Sequence, residues 1–336
     1  MVRFLPAPYT QSEWDAIVAP LKGLALPQIW SWGEVKGETA SWRVERGLLK
    51  EGENLVGAAQ VMVRRVPFIG SGVAWVSRGP LYGSASEAMY PDLLTALRKH
   101  YVNDRKLHLR VVPALPAEAC DLAGLARAGF RHSGAPGWVS ALVNLSLQEE
   151  ELRRGLDQKW RNALNKAERQ KLVVKDASDG PDFSVILRQY EQFLGERGFV
   201  SSVTPQLLAR LQQRLPDDHK MTASHCTLGT ESLGTIVIAR YGDRAEYLVG
   251  ALSTEGRRYN VGQLLLWRAL LAAKAAGARW FDLGGMDPLV TPKGIFNFKS
   301  GVGGTIYRLA DELEADDSGL RARLVRWRIA RARGTA

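Results

Sequence analysis

The sequence predicts an α/β protein with mixed (α+β) sheets, organised as two tandem units of similar build. Three observations predict it. The chain has 336 residues, too long for one ordinary small core and long enough for two domains or two fused halves. An order of strands, helix and strand occurs in each half. Within that order, "LVGAAQVMVRR" of the first half is matched by "SLGTIVIARY" of the second, weakly in residues and more clearly in rhythm.

From Trp42 the pattern alternates: "SWRVERGLL" and "NLVGAAQVMVRRV" flank "KEGEN", the mark of a β-hairpin with a glycine-bearing turn. A third strand, "GVAWVSRGPLY", follows. The segment "SEAMYPDLLTALRKHYVND" places Leu93, Leu94, Leu97 and Tyr101 at helical spacing. A short strand, "KLHLRVVP", and a helix ending at Gly129 complete the first half. A long helix is expected from about Gln148 to Lys171, its first turn acidic and the rest basic, as the helix dipole favours. Helices near 181–197 and 204–214 lead into strands with turns at Gly229 and Gly242-Asp243. The helix "NVGQLLLWRALLAAKAAG" and the strand "ARWFDLGG" close the second half. The expected units are therefore 1–146 and 147–313. Beyond them, 314–336 form a basic amphipathic helix with Leu320, Leu324 and Trp327 on one face, suited to docking on the protein or to phosphate or headgroup contact.

Composition narrows the functions. Hydrophobic content of 46% with 24% charged residues is that of a folded soluble chain. The most apolar stretch, "VGQLLLWRALLAAKAAGARWF", is broken by Arg268, Lys274 and Arg279, so no membrane span is expected. The N-terminus lacks a signal-peptide core, which makes the cytoplasm the expected location. Cys120 and Cys226 have no ligand spacing around them, and the five histidines form no HExxH-type pair. Neither a disulfide framework nor a metal site is expected. A net charge of +10 favours polyanionic partners: nucleic acid, phosphorylated substrates or an anionic membrane surface.

There is no P-loop, no GxSxG elbow and no GxGxxG after a leading strand. Asp282, ahead of Gly284-Gly285, reads as a turn cap more readily than as a substrate contact. CoA-dependent N-acetyltransferases carry Q/R-x-x-G-x-G/A where a strand feeds a helix. Here "EGRRYNVGQLLLW" supplies Arg257 and Gly262 but puts Asn260 where the first glycine belongs. Asparagine tolerates positive φ, yet its side chain would crowd a pyrophosphate. In "GIFNFKSGVGG", Lys299 stands between phenylalanines and glycines. It reads either as a loop lysine laid on aromatic rings or as a cation fixed where negative charge develops in a reaction.

The stretch "YLVGALSTEGRRYNVGQLLLWRALLAAKAAGARWFDLGG" followed by "GIFNFKSGVGG" resembles the C-terminal signature of the FemABX peptidyltransferases. Upstream, "QIWSWGEVKG", "KWRNALNKAERQKLVV" and "YEQFLGERGF" stand in that family's order and spacing, so the resemblance runs from about Gln28 to Leu309. It implies two tandem GNAT-like subdomains around a cleft, without the coiled-coil arm of some members. It also implies a cell-wall aminoacyltransferase acting in bridge formation and cell shape. The donor would be aminoacyl-tRNA, no cofactor would be needed, and the acceptor would be the stem-peptide amine of a UDP-linked or lipid-linked peptidoglycan precursor. On the family's pattern Lys299 is the catalytic cation, and Lys36 and Arg197 contact the precursor's phosphates. Tyr247 and Phe298 join the substrate-binding set, although a core tyrosine is as good a reading of Tyr247. Lys159, Arg161, Lys166 and Arg169 are candidate donor or tRNA contacts, or simply a solvated face. Two alternatives stay open: a GNAT-type N-acyltransferase using acyl-CoA, and a non-catalytic tRNA- or membrane-surface binding protein. Peripheral contact at the inner face of the membrane, through the C-terminal helix, is compatible with each.

Overall fold

The computed structural model describes every residue except 41, 67–69, 85–86, 198–202 and 335–336. In chain order the strands begin with β1 (Val2–Pro6), β2 (Arg43–Glu51), β3 (Asn54–Val66), β4 (Ser71–Val76) and β5 (Leu81–Tyr82). Next come β6 (His108–Val111), β7 (Arg131–His132), β8 (Val139–Asn144), β9 (Val173–Ala177) and β10 (Thr222–Leu228). The last are β11 (Glu231–Tyr241), β12 (Arg244–Leu252), β13 (Trp280–Asp282), β14 (Thr305–Arg308) and β15 (Leu313–Ala315). They form two sheets, of order β1-β2-β3-β4-β6-β15-β7 (with β5 against β3) and β14-β8-β13-β12-β11-β10-β9.

Read from opposite ends, the two orders are the same. The first three pairings of each sheet are antiparallel. A parallel pair follows, β4·β6 in one sheet and β12·β13 in the other. The strands compared in the sequence, β3 and β11, hold equivalent third places, so the duplication in rhythm is a duplication in topology.

The chain divides into Met1–Trp138 with Arg308–Ala336, and Val139–Tyr307. This differs from the expected boundaries at 146 and 313. The physical reason is strand exchange. β8 follows the first unit in sequence but pairs with β13 in the second sheet, whereas β15 returns to pair with β6 and β7. The C-terminal segment is thus an integral part of the first unit.

The first unit carries α1 (Gln11–Val18), α2 (Trp30–Ala40), α3 (Tyr90–Arg98) and α4 (Leu122–Arg127). Its core gathers Leu49, Val61, Leu93, Leu94, Leu97, Tyr101 and Leu109, so the predicted apolar helix face is the buried one. The expected third strand is two, β4 and β5, because the chain turns at Arg78 (φ +48°) between them.

The second unit carries α5 (Glu149–Gly155), α6 (Gln158–Glu168), α7 (Gly180–Arg197), α8 (Pro205–Arg214), α9 (Thr254–Arg258), α10 (Val261–Ala275) and α11 (Lys293–Ser300). The single helix expected over 148–171 is broken. Leu156 turns extended (ψ 140°) and Asp157 caps a new helix, accepting from the N–H groups of Lys159 and Trp160. Asp157 also donates its own N–H to the Gly301 carbonyl, so a tertiary contact fixes the break. α10 and the second sheet share a core built on Leu265, Leu266, Leu270, Ile236 and Phe281.

α12 (Leu320–Gly334) closes the chain against β4 and β6. Its docking face is Ala322 and Val325, both buried, while Leu320, Leu324 and Trp327 are exposed. Docking therefore uses small residues that bring the helix close to the sheet.

Candidate active site

Lys299 lies on a helix rather than in a loop. It is the penultimate residue of α11 and only 6% exposed. Its ammonium donates to the Gly285 carbonyl at 2.9 Å and sits 5.0 Å from the centroid of the Tyr247 ring. The surroundings follow from the parallel pairing of β12 with β13. β12 and β13 are in register from Arg244–Trp280 to Glu246–Asp282. Just beyond, Leu248 is extra in the pairing of β12 with β11, so the strand bends where Tyr247 projects. Gly284 (φ +69°) passes so close that a Cβ there would meet the Tyr247 carbonyl oxygen at 2.5 Å. The lysine enters at this crowded point.

Burial pulls the Lys299 pKa from 10.5 down to about 8, against the opposing pull of Asp282 and Glu246. At neutral pH about nine in ten molecules still carry the charge. The site is thus a desolvated ammonium held by a carbonyl, an aromatic face and two nearby carboxyl groups. Tyr247, packed over it, has its phenol pKa pushed up by burial and, secondarily, by Tyr190. Asp282 is the turn cap that its position suggested. One carboxylate oxygen accepts from the Gly284 N–H at 2.8 Å and from the Ser140 hydroxyl, and the other accepts from the Tyr307 hydroxyl at 2.6 Å. These bonds tie β8, β13 and β14 to the segment that receives the lysine.

A cavity of about 520 Å³ runs beside α11, lined by Asp157, Lys159, Trp160, Gln263, Asn297 and Phe298 among others. Trp160 forms its aromatic wall. Its indole N–H donates to the Phe298 carbonyl at 2.9 Å, and its ring lies 6.3 Å from the Phe298 ring at an interplanar angle of 30°. Gly301 allows this, since a Cβ there would lie 2.7 Å from the Trp160 ring. Trp160 was hidden in "KWRNAL" by the apparent continuity of a long basic helix. At the first turn of α10, Asn260 adopts the left-handed conformation (φ +58°, ψ +34°), and its side chain forms no capping bond.

Lys36 belongs to the other unit, on α2. Its ammonium lies 5.0 Å from the Trp32 ring, and burial lowers its pKa. The helix beneath it is pinned by a polar network that the sequence did not disclose. Arg46 donates to Gln60 at 2.8 Å and to Glu34 at 2.9 Å, and stacks 3.4 Å from the Trp30 ring centroid. Gln60 in turn donates to the Pro27 and Ile29 carbonyls. Gly33 is where α2 meets Gln60, with room for no Cβ.

The remaining candidates are less concentrated. Lys159 and Lys166 share one face of α6, and Lys159 reaches the cavity. Arg161, two residues on from Lys159 and so turned well round the helix, donates instead to the Arg154 carbonyl. Arg169 is the exposed C-cap. Arg197 ends α7, and its side chain lies outside the described residues.

Residues 153–300 match the model of the acetyltransferase (GNAT) domain. No curated protein matches the sequence. With two sheets of one strand order, the chain has a tandem GNAT-like fold. More particularly, the crystal structure of FemX is similar over 96% of this chain and 99% of its own, with a TM-score of 0.80 and 17% identity. The C-terminal domain of a putative lysylphosphatidylglycerol synthetase from Agrobacterium fabrum is similar over 96% of this chain and 95% of its own (TM-score 0.56, 14% identity). A tandem GNAT protein from the clavulanic acid biosynthesis pathway covers 95% and 99% (TM-score 0.54, 15% identity). The fold is FemABX-like, and together with the domain match it supports an acyltransferase of GNAT fold.

Proposed function

We propose that the protein transfers an amino acid from aminoacyl-tRNA to the stem-peptide amine of a UDP-linked or lipid-linked peptidoglycan precursor. The observation that carries this proposal is the buried, charged Lys299 on α11, the helix whose neighbouring residues Asn297, Phe298 and Ser300 line an aromatic-walled cavity. In such a transfer the amine nitrogen attacks the ester carbonyl carbon. The C–N bond forms and the carbonyl electron pair moves onto oxygen. Collapse then breaks the bond to the terminal ribose, whose oxygen takes the proton that the amine releases. The ammonium of Lys299 stabilises the transient oxyanion or holds the donor's terminal phosphate. No covalent enzyme intermediate is required, because the ester is already activated.

Phe298, half-buried and held by the buried Trp160 ring, offers a stacking face for a terminal base of the donor, and Lys159 offers charge for its backbone. Lys36 and Arg197 are assigned to the acceptor's diphosphate, and Tyr247 to orienting the acceptor. A donor of this kind also suits Asn260: its side chain stands at the turn where a CoA pyrophosphate would need bare backbone. The test is Lys299→Met. The variant should fold, and transfer should fall about 10²–10³-fold, as for loss of one preorganised donor. Full activity in the variant would overturn the assignment. Saturable CoA binding by calorimetry would instead support an acyl-CoA-dependent N-acyltransferase.

A further inference from the structure

We infer that α12 is an interfacial helix that seats the protein on an anionic lipid surface. The helix presents two unlike sides. Ala322 and Val325 are 4% and 1% exposed and face β4 and β6, and Arg326 turns inward to the buried Asp316. On the opposite side Leu320, Leu324 and Trp327 are 78%, 52% and 56% exposed, an i, i+4, i+7 ridge of large apolar side chains. Arginines border this ridge. Arg321 and Arg328 flank it on one side and Arg323 on the other, all exposed, while Arg331 lies 5.4 Å from the Trp327 ring.

Helix geometry alone would not require such a surface, since the inner face already holds the helix to its unit. Three large apolar groups held in water are unfavourable unless something removes them from it. Arginines beside them, with a tryptophan among them, form the pattern of a helix lying in the headgroup plane. Its apolar ridge reaches the acyl boundary and its guanidinium groups pair with lipid phosphates. The basic character continues next to the helix: Arg321 packs against Gly70, in the β3–β4 connection, and Arg64 and Arg65 near the end of β3 are exposed. An anionic bilayer is favoured over RNA because the leucines gain from hydrocarbon and gain nothing from a phosphate backbone. Among the described residues no helix is long and apolar enough to cross a membrane, so the contact would be peripheral. This inference stands apart from the transfer reaction.

The experiment is flotation of the full chain with vesicles of phosphatidylcholine alone, or of three parts phosphatidylcholine to one part phosphatidylglycerol. The wild-type protein should float with the anionic vesicles and stay behind with the neutral ones. Substituting Leu324→Glu with Trp327→Glu should weaken flotation about tenfold or more, and each exposed arginine changed to Gln about fivefold. All of these side chains are exposed, so the melting temperature should stay at the wild-type value. Absence of flotation, or flotation unaffected by both sets of substitutions, overturns the inference. So does a result in which the substitutions weaken retention of single-stranded RNA and leave flotation unchanged.

Discussion

Lys299 is predicted to be held at the expense of stability, and the effect has a pH signature. Between the ordinary lysine value of 10.5 and about 8 lies about 3 kcal/mol of unfavourable charge burial at neutral pH. Replacing it with methionine removes that penalty with little change in volume. The replacement also removes the hydrogen bond to Gly285, worth about 1 kcal/mol, while the attraction between the ammonium and the Tyr247 ring belongs to the charged form alone and is already contained in the lowered pKa. Near pH 7 Lys299→Met should therefore be more stable than the wild type by about 2 kcal/mol, the difference of these two contributions. Because the folded pKa lies below the unfolded one, the unfolded chain binds more protons between about 8 and 10.5, and wild-type stability rises across that window. The variant has no such gain. Its advantage should shrink and then reverse, leaving the wild type ahead by about 1 kcal/mol, the hydrogen bond to Gly285, once the lysine is neutral in both states. Urea unfolding of both proteins at several pH values from neutrality upward measures this directly. A variant less stable at pH 7, by an amount that does not change with pH, would refute the picture of a desolvated ammonium.

Three other substitutions probe the supports. Gly284→Ala should abolish transfer and destabilise the second unit by at least about 2 kcal/mol, since the position combines φ +69° with a 2.5 Å clash against the Tyr247 carbonyl; chemical denaturation and activity report both. Trp160→Ala should raise KM for the donor at least about tenfold, with Trp160→Phe recovering most of it, because the buried Trp160 ring holds Phe298, the stacking face at the cavity, in place; steady-state kinetics separate this from a change in kcat. Arg326→Ala should loosen α12, because Asp316 loses a charged partner in a buried site, and hydrogen exchange of the helix amides reads it. The carboxyl of Asp316, its desolvation outweighed by hydrogen bonds from Arg326 and Arg131, has a pKa held well below the usual carboxylate range. Its contribution is therefore complete above about pH 4 and is lost as acid protonates it.

Much of the fold was legible because local signals agreed with tertiary structure. The β2–β3 hairpin has Gly52 at φ +58°, and Gly129, Gly229 and Gly242 all take positive φ where turns were read. The elements that escaped are those set by distant contacts. The break at Leu156–Asp157 depends on the carbonyl of Gly301, and α11 forms in a glycine-rich run that looks like a loop. The inner face of α12 is chosen by close packing of Ala322 and Val325, whereas apolar size pointed to Leu320, Leu324 and Trp327. The unit boundaries were misplaced because β8 and β15 are exchanged, and strand partners are not written in local sequence. Of the candidate site, Lys299 meets the Tyr247 ring, whereas Phe298, its neighbour on α11, packs against Trp160. Trp160 and the Arg46–Gln60 network stayed hidden, because each becomes meaningful only through a partner far away in sequence.

The central claim, that the acyl donor is an aminoacyl-tRNA, is tested most directly by following label. Purified protein is given a pool of radiolabelled aminoacyl-tRNAs or, in parallel, labelled acetyl-CoA, each with UDP-linked and lipid-linked pentapeptide precursors. Label passing from tRNA to a precursor, and lost in Lys299→Met, is the predicted result, and the labelled product identifies the amino acid. Label passing only from acetyl-CoA would contradict the account and show that Asn260 leaves room for a pyrophosphate after all.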